Sequence, residues 1–141
     1  MTASEVRVRY AETDQMGVAY HANYLVWCEV GRTDLIRHLD ITYAEMERQG
    51  VRLAVADAQV RYQASARYDD VVRVETRLTS LRSRLLTFRY DLFRVPEPGA
   101  FEGERLATAS TTLISVSSEG RPVAMPRHLR DILGQALLGS D

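Results

Sequence analysis

A chain of 141 residues, 45% hydrophobic and 26% charged, has the size of one domain with one core. Its formal net charge of −1 gives no global field for nucleic acid or an anionic membrane, although all 18 of its basic residues are Arg. Cys28 is the only cysteine, so the chain can form no internal disulfide and no cysteine-rich metal site, and no apolar run reaches the roughly 20 residues that span a bilayer.

The first segment, MTASEVRVRY, lacks the apolar stretch of a secretory signal, and a cytoplasmic protein is expected. Val6, Val8 and Tyr10 alternate with Arg7 and Arg9, the period of a half-buried strand. A polar loop follows. From Ala22 a helix is predicted, with Tyr24, Trp27, Cys28, Gly31, Leu35 and Leu39 in one stripe. Leu25, Val26, Val30 and Ile36 make much of its other side apolar. A helix with apolar residues on most of its circumference must be buried on most of it, so something wide has to wrap around it.

Thr42 and Glu45 have the spacing of a capping box, and Gly50 stands where that short helix should end. Four strand patterns come next. The first, Leu53 to Gln63, sets Ala54, Ala56, Ala58, Val60 and Tyr62 on one face. After a turn at Tyr68-Asp69-Asp70 come Val72, Val74, Thr76 and Leu78, then Leu86, Phe88, Tyr90 and Leu92. A loop from Val95 to Gly103 leads to a last strand near Glu104 to Ser117. Pro126 then opens an amphipathic C-terminal helix carrying Leu129, Ile132, Leu133, Ala136 and Leu137. Successive strands joined by short turns pair antiparallel. One curved five-stranded sheet around one long helix satisfies both the helix and the short chain, giving an α+β domain over residues 1–141.

The loop from Ala11 to Asn23 is dense in functional groups: Glu12, Asp14, Tyr20, His21 and Asn23, with Gly17 among them. It runs straight into the predicted long helix, whose start offers unpaired N–H groups and positive partial charge. An oxygen that gains negative charge during acyl transfer is stabilised at such a place. A carboxylate just upstream, Asp14, could activate water or attack a carbonyl. An isolated loop aspartate is more often a turn former.

The stretch RYAETDQMGVAYHANYLVWCEVGRTDLI resembles the signature of the 4-hydroxybenzoyl-CoA thioesterase-like family of hotdog-fold proteins, including its acyl-CoA thioesterase branch associated with the Tol-Pal cluster. Tyr10, Asp14, Gly17, Tyr20, His21, Asn23 and Tyr24 occupy the positions of that pattern, and RYDDVVRVETRL resembles a second family segment. The resemblance implies a hotdog fold: a five-stranded antiparallel sheet wrapped around a central helix, here with a C-terminal helix added. It also implies an acyl-CoA thioesterase. Asp14 would be its catalytic carboxylate, the N–H of His21 its carbonyl-polarising donor, and Tyr10 an aromatic beside the site. Gly17, Val18, Tyr20, Asn23 and Tyr24 would border the substrate.

Arg82 and Arg84 flank Ser83 at a predicted turn whose equivalent in the family's aromatic-substrate branch is basic and contacts the phosphates of coenzyme A. A solvated hairpin tip is the competing reading. No cofactor is expected, coenzyme A being part of the substrate, and no metal, since His38 and His128 lack ligand spacing. The family implies a homodimer, with dimers pairing into tetramers, and sites between subunits. Two other readings are a non-catalytic module that binds acyl-CoA or acyl carrier protein, and a hotdog hydratase, which would need a His working with a helix carboxylate such as Glu29.

Overall fold

The computed structural model describes residues 1–138. Five strands form one sheet: β1 (Thr2–Arg7), β2 (Arg52–Tyr62), β3 (Val71–Leu81), β4 (Leu85–Val95) and β5 (Glu104–Val116). Their order across the sheet is β1-β3-β4-β5-β2, with every neighbouring pair antiparallel. Three α-helices complete the chain: α1 (Asn23–His38), α2 (Tyr43–Arg48) and α3 (Arg127–Leu138). The sheet packs around α1 in the hotdog arrangement, and α3 packs against β3.

The period-two pattern dictates which face is concave. Val72, Val74, Thr76 and Leu78 of β3, Leu86, Phe88, Tyr90 and Leu92 of β4, and Ala107, Ala109, Thr111 and Leu113 of β5 are all buried. They meet Tyr24, Trp27, Cys28, Gly31, Leu35 and Ile36 of α1. Gly31 sets the closeness of that contact: a Cβ there would stand 2.3 Å from Thr76 Oγ1 and 3.0 Å from Val74 Cγ1. The convex face carries the charges, with Asp91 paired to both Arg77 and Arg105. Thr42 caps α2 by accepting the Glu45 N–H at 3.0 Å, and Gly50, at φ +83°, follows it.

Three expectations change. Tyr10 is not in β1, which ends at Arg7; it begins a 3-10 turn, Tyr10–Glu12. The apolar circumference of α1 is only partly covered, since Val26 is 49% and Val30 37% exposed. The sheet curls over one side of the helix and stops at β2. That strand is the third departure. Ala54, Ala56 and Ala58 are exposed rather than facing a core, and a register shift between Val55 and Asp57 interrupts the alternation. β2 is an edge strand: among the described residues it pairs with β5 alone and no strand meets its other edge.

Candidate active site

Glu12 organises the segment between β1 and α1. Its side chain is buried, and a buried carboxylate must be hydrogen-bonded to be tolerated. Oε1 accepts the backbone N–H of Arg9 at 2.8 Å, and Oε2 accepts the indole N–H of Trp27 at 3.1 Å. Its carbonyl accepts the Tyr20 N–H at 2.7 Å and the Asn23 side-chain amide at 2.9 Å. One residue thus fastens the 3-10 turn to the first turns of α1.

Between these anchors the chain forms a small hairpin. Thr13 pairs with Ala19, the Asp14 N–H donates to the Val18 carbonyl at 2.9 Å, and the Gly17 N–H donates back to the Asp14 carbonyl at 3.0 Å. Gly17 has φ +80°, where a side chain would be strained. The hairpin docks on the segment before β3: Val18 pairs with Arg67, and the Ala19 N–H donates to the Ala66 carbonyl at 2.8 Å. Asp14 is exposed at the hairpin base. Its Oδ1 accepts the Met16 N–H at 2.8 Å, which orients the carboxylate. Among the described residues, Oδ2 accepts no hydrogen bond. Asp14 is therefore both a turn former and a fixed, solvent-facing carboxylate.

The start of α1 has no side-chain cap. Its first turn closes tightly: the Asn23 N–H donates to the Tyr20 carbonyl at 2.9 Å, Tyr24 to His21 at 3.3 Å, and Leu25 to Ala22 at 3.2 Å. Among the described residues no acceptor meets the N–H of His21 or of Ala22. These are the orphan donors at the positive end of a helix 16 residues long. The Tyr62 hydroxyl donates to the His21 carbonyl at 2.9 Å, and the His21 ring stands edge-on to Tyr62 and 4.4 Å from the Tyr20 ring. His21 is thus held from both sides.

The structure brings Asp14, Gly17, Val18, Tyr20, His21 and Asn23 into this one unit. Tyr10 lies at its entry, 76% exposed, with its ring edge-on to Tyr68 at 5.8 Å. Tyr24 is in the core rather than on the surface: its hydroxyl accepts the Ala66 N–H at 3.0 Å and its ring packs on Trp27 and Tyr62. Arg82, Ser83 and Arg84 are exposed at the β3–β4 turn. That turn is at the far end of β3 from Arg67, and the 11 residues of β3 extend about 36 Å before curvature. Within one chain, Arg82 and Arg84 do not reach the Asp14 hairpin.

Cys28 is buried, and burial pushes its thiol up to about 12, the Arg32 charge pulling the other way. It is a core thiol, not a nucleophile. Among the described residues no group of three or more His, Cys, Asp or Glu side chains could hold a metal. No helix among them is long and apolar enough to cross a membrane. Two residues that matter here carry little sign of it in the sequence: Glu12 is one polar residue among several in its loop, and Tyr62 reads only as a strand residue.

The profile of the thioesterase-like superfamily matches residues 8–133. The acyl-CoA thioester hydrolase YbgC of Escherichia coli O6:H1 is 32% identical over 124 residues, 88% of this chain and 89% of that protein. The crystal structure of the hypothetical protein TT1821 from Thermus thermophilus superposes with a TM-score of 0.87 at 34% identity, covering 96% of this chain and 99% of that one. The DHNA-CoA thioesterase of Staphylococcus aureus superposes with a TM-score of 0.85 at 35% identity, covering 98% and 93%.

Proposed function

Because this chain belongs to the thioesterase-like superfamily and is a thioester hydrolase, we propose that it cleaves small or medium acyl-CoA thioesters, with Asp14 and the start of α1 as its machinery. The observation that carries this reading is the juxtaposition built by Glu12: an oriented, exposed carboxylate on a hairpin tied to a helix start whose His21 and Ala22 N–H groups have no acceptor.

The chemistry follows from those groups. The thioester carbonyl oxygen accepts the His21 N–H, and the helix start stabilises the charge that grows on it during attack. Asp14 drives the attack, either as base for a water or as the attacking oxygen itself. The C–S bond breaks and coenzyme A leaves as a thiolate. A thiol has a pKa of about 8.5, so it departs without strong acid assistance, and a site this sparse suffices. The His21 ring, braced by Tyr20 and Tyr62, and the exposed Tyr10 border the acyl-CoA. No metal or cofactor takes part.

The bare edge of β2 and the exposed Val26 and Val30 support a homodimer. Two β2 edges paired antiparallel about a two-fold axis would join two sheets into one and cover α1. The same operation reverses the partner end for end. It sets the partner's β3–β4 turn at the end of the joint sheet where this chain's Tyr62 and His21 lie, three to four strand spacings away, about 14–19 Å. Arg82 and Arg84 would then serve the neighbouring subunit's site, where their planar forks suit the phosphates of coenzyme A. Pairing of dimers into tetramers is part of this reading. The site and fold fit a cytoplasmic enzyme acting on a soluble carrier.

The test is thiol release across a panel of straight-chain and aromatic acyl-CoAs. Release from at least one class at a rate well above solution hydrolysis is expected; binding without release from any of them would favour a non-catalytic module instead. The hydratase reading finds no support, since among the described residues Glu29 has no hydrogen bond or ion pair to a histidine.

A further inference from the structure

The central helix carries a charge where its apolar stripe should continue. Arg32 stands four residues after Cys28 and three before Leu35, on the buried face of α1, and is only 6% exposed. Its Nη1 donates to the Tyr90 hydroxyl at 3.1 Å, and that hydroxyl shares a 2.7 Å hydrogen bond with Thr111 Oγ1. The Tyr43 hydroxyl also acts electrostatically on the guanidinium. Its Nε is buried without a hydrogen-bond partner among the described residues. Among the described residues no carboxylate lies within ion-pair distance of it. A buried cation surrounded only by hydroxyls is held at a cost that one anion would offset.

Space for that anion adjoins it. A cavity of about 180 Å3 lies between α1, β2 and β5. Leu25, Val26, Val55 and Ala58 make its walls apolar; Arg32 and Thr111 are its buried polar groups, and Glu29 is an exposed carboxylate on its rim. One of its walls is Leu25, in the first turn of the helix that His21 and Ala22 lead into. From His21 to Arg32 the helix rises about 16 Å. An arginine side chain leans back toward its helix N-terminus, leaving roughly 10 Å between carbonyl site and guanidinium. Extended chains advance about 3.8 Å per three bonds, so roughly eight carbons bridge the gap.

We propose that Arg32 determines specificity by receiving a carboxylate at the far end of the acyl chain, so that the preferred substrates are coenzyme A thioesters of medium-chain dicarboxylic acids. This rests on the reading of Asp14 and His21 as the hydrolytic site. In the overall hydrolysis the thioester C–S bond is replaced by a C–O bond from water, thiol and free diacid leave, and the distal carboxylate is unchanged. The guanidinium is a planar fork of donors whose shape suits the two oxygens of a carboxylate. Glu29 opposes entry of an anion, but it is exposed and screened, whereas Arg32 acts from a low-dielectric interior.

Calorimetric titration of the Asp14→Asn protein with octanedioyl-CoA and octanoyl-CoA separates binding from turnover. The diacid thioester is expected to bind about tenfold tighter or more, the contribution of one charge-assisted hydrogen bond. Arg32→Met should abolish the difference without lowering the unfolding temperature of the free protein, because no protein anion loses its partner. Glu29→Gln should widen the difference and leave folding unchanged. Equal affinities, or tighter binding of octanoyl-CoA, would overturn the proposal. So would a fall in unfolding temperature in Glu29→Gln, which would make that carboxylate the counter-ion of Arg32. Wild-type turnover is read separately: selective binding without thiol release would sink the hydrolase reading while leaving the role of Arg32 intact.

Discussion

At the scale of single residues, the site depends on a carboxylate that does no chemistry. Glu12 accepts two hydrogen bonds on its side chain and two on its carbonyl, and together these join the 3-10 turn to α1. Glu12→Ala leaves the Trp27 indole and the Arg9 N–H without acceptors, each worth about 1–3 kcal/mol when buried. Urea unfolding should show a loss of about 2 kcal/mol or more, with kcat falling alongside. Cys28 gives a pH signature. Its folded-state thiol is raised from 9.0 to about 12 by burial, so the folded state holds a proton that the unfolded state releases. That contribution is complete below pH 9 and is lost as pH rises toward 12, on the order of 1 kcal/mol per pH unit. Cys28→Ala should flatten the alkaline arm of the stability curve; an unchanged slope would contradict the assignment. The sequence points to Asp14 and His21 through a carboxylate placed before a helix start and through the family resemblance of that stretch. Arg32 was not legible, since an arginine on an apolar stripe gives no local sign of whether it is buried or extends out to water.

At the scale of elements, the closest fit is between α1 and β3. Gly31 is needed there for space rather than for backbone freedom, because a methyl group would press on Thr76 and Val74. Gly31→Ala should cost about 1–3 kcal/mol by overpacking despite the better helix propensity of alanine, measured by thermal or urea unfolding. A stabilised variant would show that the helix can move off the sheet freely. The sequence announced α1, α2 and the three inner strands clearly. Their alternation of buried Val, Leu, Phe and Tyr with outward charge is dictated by the pleat. It misread the edges. Tyr10 continues the alternation of Val6 and Val8, but the chain turns at Arg9 because the Glu12 side chain captures that residue's N–H. The alanines of β2 alternate as a core strand would, yet the register shift at Val55 and the strand's edge position leave them exposed.

At the scale of the whole molecule, the candidate site lies at one end of the sheet and one side of α1 is only partly covered. The Asp14 hairpin, His21 and Tyr62 gather at one end of the sheet, while Arg82 and Arg84 sit at the other. The apolar surface of α1 foretold an extensive cover, and the single chain provides only part of it. The proposed homodimer would supply the rest, and neither periodicity nor motif spacing specifies it, because an edge strand looks like any other strand in the sequence. If Arg82 and Arg84 act across a dimer, reversing both charges should raise KM for an acyl-CoA well beyond any change for a short thioester lacking the nucleotide, with sedimentation still showing a dimer. Equal changes for both substrates would return that turn to the role of a solvated tip.

The account stands most directly on Asp14→Asn, compared with wild type in steady-state thiol release from the best acyl-CoA. The exchange keeps an oxygen to accept the Met16 N–H, so circular dichroism and unfolding temperature should be unchanged. The predicted result is a fall in kcat of about a hundredfold or more, the contribution of a positioned catalytic carboxylate. A folded variant that retains near wild-type kcat would contradict it.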